Sequence, residues 1–189
     1  MIAAMTADGF IAQSQDQIST RWTSKEDAGW FARRTKQAGA CVMGRTTFQT
    51  MGGRALAERL LIIQTSQAEL LDENHGKIGN LDELNNWHFN PGKTEVLISS
   101  LPIPELVDKL SKSGVNELAI CGGSNIYAQW LQSGLVNNLY LTLEPKLFGQ
   151  GVPLLAGAVD IKLDLLSVEK LNSKTLLIEY SVFVEAGLD

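Results

Sequence analysis

The sequence predicts an α/β fold whose sheet is mainly parallel and ends in an antiparallel C-terminal edge. Short β-like apolar runs alternate with helical patterns from Ile2 to about Thr142, which is typical of parallel strands joined by helices. Two longer β-like runs, 163–168 and 176–184, are joined near Asn172 and predict an antiparallel pair. Because neither a Pro/Ser/Gly-rich linker nor an internal repeat divides the 189 residues, we expect one domain over residues 1–189.

The first third of the chain is predicted to hold three strands and two helices. Ser24 followed three residues later by Asp27 is a capping-box pattern, so a helix should begin there, and Gly39 should end it. The segment before this helix is polar and is expected to be a loop. In order, the elements are a strand at 2–5, a turn at 7–10, the loop at 12–21, a helix at 24–38, a strand at 41–43, a short helix at 45–51 and a strand at 60–63.

The rest of the chain is predicted to resume this alternation after a polar interruption. Residues 67–95 contain Asn, Gly and Pro turn signals and are interpreted as a long irregular insertion or a small surface excursion. In the helix at 104–113, Leu106, Val107 and Leu110 share one face. The other elements are strands at 96–98, 118–121 and 138–142 and a helix at 124–132.

The composition excludes several classes of function. Sixteen basic and twenty-one acidic residues give a formal net charge of −5, which argues against a general nucleic-acid or anionic-membrane surface. Cys41 and Cys121 lie in apolar runs and are expected to be buried, whereas His75 and His88 lie in a polar stretch. Since none of these residues has metal-ligand spacing, we expect neither a zinc site nor a His-dependent nucleophile.

We also expect neither a targeting signal nor a membrane span from the sequence. The apolar start of the chain is followed at once by Asp8-Gly9 and has no basic region, so no signal peptide is expected. No apolar run approaches the roughly 18 residues of a membrane span. We therefore expect a cytoplasmic protein in a reducing compartment.

Three predicted strands end in residues that suit an anion. Gly44-Arg45-Thr46-Thr47, Thr65-Ser66 and Gly122-Gly123-Ser124 each follow a strand. Helix starts offer free N–H groups, glycines let a phosphate approach the backbone, and Arg45 can form a fork of hydrogen bonds to it. Each segment alone is also explained by a tight turn with a helix cap. The three together favour an extended phosphorylated ligand such as a dinucleotide.

Asp27 falls in the first turn of the first predicted helix, on one face with Phe31 and Thr35. One interpretation is an acid that caps the helix. The other is a carboxylate at the mouth of an apolar pocket, where it would bind a planar heterocycle bidentately and help to deliver a proton. Burial would raise the pKa of Asp27, whereas a basic ligand would favour its charged form. Trp22 and Trp30 flank it and offer apolar or stacking surface.

Taken in order, these motifs resemble those of dihydrofolate reductase. The segment 43–48 (Met-Gly-Arg-Thr-Thr-Phe), followed later by Gly122-Gly123 with Ile126-Tyr127, is a specific pair, and the resemblance extends from Met1 to about Tyr180. The C-terminal third from Leu135 also resembles the reductase domain of riboflavin biosynthesis, which shares the fold. The resemblance implies a three-layer dihydrofolate-reductase-like fold, NADPH as cofactor and hydride transfer to a C=N bond.

For the substrate side, the resemblance implies a catalytic group of Asp27, Trp22 and Thr142. Asp27 would bind the pterin ring and support protonation, Thr142 would hydrogen-bond the ring, and Trp22 would hold an ordered water. The other implied contacts are Phe31 and Met51 against the ring, Arg59 on a substrate carboxylate, and Ile2, Ala3 and Cys121.

For the cofactor side, the resemblance implies two groups of residues and no metal. The phosphates, including the 2′-phosphate, would be held by Arg45, Thr46, Thr47, Thr65 and Ser66. The pyrophosphate and nicotinamide would be lined by Gly122, Gly123 and Tyr127, with Ala4 and Ile11 at the nicotinamide, and Gly44, Ser124, Asn125 and Ile126 complete the implied set.

The chain departs from the family pattern mainly on the substrate side. Thr20-Arg21 precede Trp22, where the family usually has Leu-Pro or Met-Pro. The segment 53–58 lacks the two prolines that usually precede the position of Arg59.

Three functions stay open at this point. The first is reduction of 7,8-dihydrofolate to tetrahydrofolate, which the motif at 43–48 favours. The second is reduction of 5-amino-6-(5-phosphoribosylamino)uracil in riboflavin biosynthesis, which the C-terminal third favours. The third is dinucleotide binding without catalysis, which leaves Asp27 no role beyond capping. The expected partners are a small-molecule substrate and, by resemblance, a second copy of the chain, but neither nucleic acid nor membrane.

Overall fold

A computed structural model describes residues 1–67 and 78–183. The helices are α1 (Lys25–Ala38), α2 (Arg45–Thr50), α3 (Ile103–Lys112) and α4 (Ser124–Gln132), with 3₁₀ turns at Ser19–Arg21 and Leu81–Glu83. The strands are β1 (Ile2–Thr6), β2 (Phe10–Ala12), β3 (Ala40–Gly44), β4 (Leu60–Gln64), β5 (Gly79–Asn80), β6 (Glu95–Ser99), β7 (Leu118–Ile120), β8 (Asn138–Glu144), β9 (Val152–Pro153), β10 (Lys162–Lys170) and β11 (Leu176–Phe183).

The described residues form two compact units. One contains residues 1–31 and the described residues from 124 onwards, and the other contains residues 32–123. Each unit holds its own hydrogen-bonded sheet. The expectation of one domain over the whole chain stays a prediction.

The unit of residues 32–123 is built on an all-parallel sheet in the order β5-β6-β4-β3-β7. Its central strands β3 and β4 are continuous apolar runs whose residues 40–43 and 60–63 are at most 1% exposed. Strands of a parallel sheet are covered on both faces, which is why these runs do not alternate with polar residues. The apolar face of α3, including Leu106 and Leu110, is buried as its spacing predicts.

The other unit contains a four-stranded sheet in the order β1-β8-β11-β10 and a small β2-β9 pair. β1 and β8 are parallel, and β8, β11 and β10 follow one another in antiparallel pairs. The predicted α/β class, with parallel strands and an antiparallel C-terminal edge, is therefore confirmed.

The start and end of α1 follow local signals. The Asp27 N–H donates to Ser24 Oγ at 3.2 Å, which is the expected cap of the first turn. At the other end Gly39 has φ +75° and donates its N–H to the Thr35 and Lys36 carbonyls. A left-handed residue at this position is easiest for glycine and ends the helix as predicted.

Two predictions about irregular segments were incomplete. The expected loop at 12–21 begins in β2 and contains a 3₁₀ turn. In the expected insertion, β5 pairs in parallel with β6, and Leu81 is fully buried. Gly79-Asn80 reads locally as a turn, so only its pairing with a distant strand makes it part of the sheet. Residues 68–77 of this segment, with His75, lie outside the described residues.

The remaining expectations about composition can be checked on the part of the chain that is described. His88 is an exposed loop residue and Cys41 is buried, whereas Cys121 is only partly buried. No helix within residues 1–67 and 78–183 has the length and apolar character that crossing a membrane requires.

Candidate active site

Asp27 is a buried carboxyl at the start of α1, with 8% of its surface exposed. It accepts hydrogen bonds from the side chains of Thr142 on β8 and Thr23 before the helix. Burial raises the pKa of Asp27, the two hydroxyl bonds lower it, and the negative charge of Glu144 raises it, with the balance above the ordinary value of 3.8. A carboxyl in this setting retains its proton to higher pH and can donate it.

The predicted capping box is only half formed. Asp27 does not accept the reciprocal bond from the Ser24 N–H, because that group donates to Glu144 Oε1 at 2.6 Å. Thr175 donates to the other oxygen of Glu144 at 3.0 Å. The prediction of a complete box was therefore wrong, since a distant carboxylate takes the place of the local one. This leaves the Asp27 side chain to Thr142 and Thr23.

The residues expected around Asp27 in the same unit fall on neighbouring strands and turns. Ala4 of β1 is paired in register with Thr142, and Ala3 and Ile2 precede it on the same buried strand. Trp22 is buried, its ring meets Phe148 edge-on at 5.2 Å, and its Nε1 has no hydrogen-bond partner among the described residues. A buried indole N–H is normally paired, so this donor is available to a ligand or water.

The other apolar side chains expected near Asp27 are half-buried. Trp30 packs against Tyr140 with ring centroids 5.3 Å apart. Phe31 is half-buried one turn beyond Asp27, and Ile11 of β2 is half-buried.

The residues of α4 that were predicted to bind the cofactor differ in their exposure to solvent. Asn125 is exposed, Ile126 is buried, and the buried Tyr127 donates its hydroxyl to the Ile2 carbonyl at 2.6 Å. The Ser124 hydroxyl is buried and has no partner among residues 1–67 and 78–183, so it can still bond a ligand.

In the unit of residues 32–123, the three predicted strand ends lie side by side. β3 is paired in parallel with β4 and with β7, so their carboxyl ends meet at one edge of the sheet. Gly44 is in register with Gln64, and its N–H donates to the Gly122 carbonyl at 2.8 Å. The carboxyl edge of a parallel sheet is where ligands bind in such folds.

The side chains at this edge suit an anion. The Arg45 guanidinium donates to the amide oxygens of Gln49 at 2.9 Å and Gln67 at 3.4 Å. Neither partner neutralises its charge. Thr47 Oγ1 would lie 3.0 Å from a Cβ at position 123, so only glycine leaves the hydroxyl uncrowded. Thr65 Oγ1 accepts the Gln67 N–H at 3.1 Å, which leaves its own hydroxyl hydrogen for another acceptor. The two remaining residues of the predicted phosphate set, Thr46 and Ser66, are both exposed.

Arg59 is buried at 6% exposure although the two family prolines are missing before it. Its guanidinium donates to Thr35 Oγ1 at 2.5 Å and to the Ala57 carbonyl at 3.0 Å. Among the described residues no carboxylate forms an ion pair with it. A buried cation with only neutral partners is suited to an acidic group of a ligand.

Two further predicted substrate residues lie in this unit. Met51 is half-buried in the turn after α2. Hydrogen bonding with Cys41, together with burial, raises the pKa of Cys121 well above 9.0, so its thiol stays protonated at neutral pH. Residues 1–67 and 78–183 hold no group of three or more metal-ligating side chains.

Glu144, Thr23 and Thr175 were not predicted to belong to the site. The strand period of two places Glu144 on the same face of β8 as Thr142, so this residue could have been found from the sequence. The contacts of Thr23 and Thr175 carry no comparable local signal.

Comparison with known proteins identifies the family of the chain. The model of the family described as RibD C-terminal domain matches residues 1–177. A dihydrofolate reductase from Buchnera aphidicola subsp. Baizongia pistaciae is 30% identical over 142 residues, which cover 75% of this chain and 68% of that protein.

Solved structures with the same fold belong to both groups of reductases. A pyrimidine reductase-like protein from Corynebacterium diphtheriae is 17% identical, with a TM-score of 0.74 and coverage of 97% of this chain and 91% of that one. A deaminase/5-amino-6-(5-phosphoribosylamino)uracil reductase from Thermotoga maritima is 17% identical, with a TM-score of 0.72 and coverage of 96% and 55%. Dihydrofolate reductase from Enterococcus faecalis, complexed with NADP(H), is 19% identical, with a TM-score of 0.60 and coverage of 96% and 94%.

Proposed function

Because the chain belongs to the RibD C-terminal domain family and has a dihydrofolate reductase among its relatives, we propose that it is an NADPH-dependent reductase of a pyrimidine-containing substrate. As a member of this reductase family it is an oxidoreductase. The proposal adds the cofactor, the substrate class and the bond reduced, which is a C=N bond. A cytoplasmic location is part of the same proposal.

The observation that carries the proposal is the burial of the Asp27 carboxyl between two hydroxyl groups. Its buried carboxyl has a pKa above the ordinary value and, among the described residues, accepts bonds from the hydroxyl groups of Thr142 and Thr23. A carboxyl of this kind can donate to a ring carbonyl or nitrogen and accept from a ring N–H, which is the bidentate pattern of a pyrimidine edge. A helix cap would require neither burial nor a raised pKa.

The residues at the β3, β4 and β7 ends fit the phosphates of a dinucleotide. Arg45 would hold a phosphate through its guanidinium, whose partners within residues 1–67 and 78–183 are the neutral side chains of Gln49 and Gln67, and Thr47 and Thr65 would donate hydroxyl bonds to it. Gly123 leaves the Thr47 hydroxyl uncrowded. When bound, NADPH supplies the hydride.

The protein's part in the chemistry is to orient the ring and to supply a proton. Asp27 and Thr142 would fix the ring edge, the carbon of the C=N bond would accept the hydride, and the protonated Asp27 would deliver its proton to the nitrogen of that bond. In the uracil compound this bond is the imine that forms when the ribosyl ring opens. The Trp22 indole N–H would hold the water through which that proton passes.

The first candidate substrate is 5-amino-6-(5-phosphoribosylamino)uracil. Two solved structures support it, since the Corynebacterium protein is described as pyrimidine reductase-like and the Thermotoga protein as a 5-amino-6-(5-phosphoribosylamino)uracil reductase. A uracil edge offers both carbonyl and N–H groups to Asp27.

The second candidate is 7,8-dihydrofolate, which a different observation favours. Arg59 is buried and has no carboxylate partner among the described residues, and it would pair with the glutamate carboxylate of that substrate. The Buchnera relative supports the same alternative.

The two substrates can be compared directly in one experiment. Oxidation of NADPH by the purified chain is followed with each substrate, and NADPH binding is measured by calorimetry. Turnover of the uracil compound alone supports the first candidate, and turnover of dihydrofolate alone supports the second. Binding of NADPH with no turnover of either would contradict the proposal and support dinucleotide binding without catalysis.

Replacing Arg45 tests the cofactor side. Arg45→Gln should weaken NADPH binding about 10- to 100-fold, because a charge-assisted hydrogen bond contributes roughly 1.5–3 kcal/mol, and should leave kcat almost unchanged. Arg54→Gln removes an exposed guanidinium from the same unit and is the matched control. Equal calorimetric dissociation constants for the two variants would show that Arg45 does not bind the cofactor.

We also propose that two copies of the chain associate through β10. This strand lies at the edge of its sheet, and all nine of its residues are exposed. Leu163, Leu165, Leu166 and Val168 are 39–59% exposed. The register shift between Leu165 and Ser167 keeps these four side chains on one face, where strict alternation would have divided them.

Self-pairing of β10 explains both the apolar face and the charges beside it. Antiparallel pairing about a two-fold axis with Leu165 opposite Leu166 also places Leu163 opposite Val168. The same register sets Lys162 opposite Glu169 on the other face. Apolar residues and opposite charges are therefore matched by one arrangement, which also covers a strand edge that no other described strand pairs with.

Light scattering tests this association. The wild-type chain should have the mass of two 20.6 kDa chains, and Leu165→Lys combined with Val168→Lys should give the mass of one. Leu147→Lys, at a 75% exposed apolar residue outside the strand, should leave the dimer intact. A monomeric wild-type chain would contradict the proposal.

A further inference from the structure

We propose that Glu144 is a positioning residue, which binds the start of α1 so that the Asp27 carboxyl is free to face the substrate ring. The proposal deepens the proposed function and rests on it. Glu144 lies at the end of β8 and is 3% exposed. It has no assigned part in the chemistry described above.

Both oxygens of Glu144 bond to neutral donors. Oε1 accepts the Ser24 N–H at 2.6 Å, and Oε2 accepts the Thr175 hydroxyl at 3.0 Å. Among the described residues no Lys or Arg forms an ion pair with it. Burial of a carboxylate without a cation costs free energy, so a neutral side chain would serve a purely structural role at a smaller cost in stability. The charge itself is therefore part of what this residue contributes.

The position of Glu144 on β8 matches the first turn of α1. Thr142 and Glu144 lie two residues apart and share one face of the strand. Thr142 bonds to the Asp27 side chain, and Glu144 bonds to the backbone of Ser24, three residues earlier. Two successive side chains of one strand thus fix two successive points of the helix start.

Glu144 also removes a competing role for Asp27. In a complete capping box the acid three residues after the cap accepts the cap residue's N–H, and here that acid would be Asp27. Since Glu144 Oε1 already accepts the Ser24 N–H, this bond is closed to Asp27. Only the forward bond, from the Asp27 N–H to Ser24 Oγ at 3.2 Å, is kept.

The same contact places a negative charge near the Asp27 carboxyl. Burial is the larger cause of the raised pKa of Asp27, and the charge of Glu144 raises it further. Thr142 and Thr23 face the carboxyl as neutral donors. The two other charged residues of the turn, Lys25 and Glu26, are exposed, and Glu26 accepts a bond from Asn172 at 3.0 Å.

Two variants of Glu144 separate the effect of its charge from the effect of its side-chain length. Glu144→Gln keeps an oxygen acceptor for the Ser24 N–H and removes the charge. The pKa of Asp27, followed by carbon NMR of its carboxyl, should shift downwards, and the fall of kcat with rising pH should begin at lower pH.

Glu144→Asp keeps the charge and is one methylene shorter. Because the shorter side chain should weaken the bond to the Ser24 N–H, hydrogen exchange at this amide should become about tenfold faster. A tenfold change corresponds to a loss of roughly 1.4 kcal/mol of local stability.

Failure of the Glu144 proposal can be distinguished from failure of the proposed function. Carboxyl titration and amide exchange need no substrate, so they test Glu144 even if neither candidate compound is reduced. Glu26→Gln removes a charge from the neighbouring exposed position and should leave the Asp27 titration unchanged. An unchanged Asp27 titration in Glu144→Gln would overturn the proposal. A Ser24 amide that exchanges as fast in Glu144→Asp as in the wild type would also overturn the proposal. This second measurement tests the proposal even if Glu144→Gln does not fold.

Discussion

Asp27→Asn is expected to lower kcat by about 10²- to 10⁴-fold, the usual contribution of a positioned acid or base. The amide keeps the size of the side chain and can still accept from Thr142, but it has no acidic proton to deliver. NADPH binding should change little, because the proposed phosphate contacts lie at the β3, β4 and β7 ends. Steady-state kinetics with the substrate that the wild-type chain reduces would measure the effect.

The pH dependence of the wild-type chain should have the same origin. Burial, opposed by the Thr142 and Thr23 bonds and aided by the charge of Glu144, raises the pKa of Asp27 above 3.8. The protonated fraction of Asp27 therefore falls as the pH rises through that raised value, and kcat should fall with it. Asp27→Asn should lose this dependence. An unaltered pH profile in the variant would rule out Asp27 as the proton donor.

The same substitution should stabilise the fold at neutral pH. Because the pKa of Asp27 is higher in the folded than in the unfolded chain, its proton is bound more tightly in the folded state. The stability contributed by this group is complete below about 3.8 and is lost as the pH rises through the folded value. The free energy of unfolding of Asp27→Asn should therefore exceed that of the wild type at pH 7, and the difference should shrink towards pH 4. Urea unfolding at both values measures it.

Gly151→Ala should lower the free energy of unfolding by about 3 kcal/mol, which is large for one methyl group. Gly151 has φ +156°, and a Cβ there would lie 2.3 Å from the carbonyl oxygen of Ala12. The following residue, Val152, is paired with Ala12 in the β2-β9 ladder, so the backbone cannot move away without breaking that pair. Urea unfolding followed by circular dichroism measures the loss.

Gly149→Ala is the matched control two residues away. Gly149 has φ +73°, but a Cβ there meets no atom within 4 Å. Its substitution should cost only the strain of the left-handed backbone, roughly 1 kcal/mol. Equal losses for the two variants would show that the approach to Ala12 is not what requires glycine at position 151.

Local patterns were sufficient for most of the fold. Alternating apolar and helical segments predicted the α/β class, because burial periodicity is a property of consecutive residues. The cap at Ser24 and the stop at Gly39 are likewise local, and both bonds form as expected. The three strand ends that carry Gly44, Thr65 and Gly122 were predicted to share one edge, since parallel strands align their carboxyl ends.

Other features were decided by contacts that local sequence does not encode. Gly79-Asn80 becomes a strand only by pairing with β6, and Leu166 stays on the apolar face of β10 only through a register shift. The acceptor for the Ser24 N–H is 120 residues away, at Glu144.

The sequence by itself determined the sheet class, the order of the four helices and the long strands, and the chemistry available at each strand end. These follow from residue type and spacing over a few residues. The tertiary structure decided which groups meet: Glu144 with Ser24, Arg59 with Thr35, and Ala12 with Gly151. The physical reason is that a hydrogen bond or a steric contact depends on separations of a few ångströms, which only the packed chain fixes. The burial of the Asp27 carboxyl beside Thr142 and Thr23 is a result of that packing, although the residue itself is visible in the sequence.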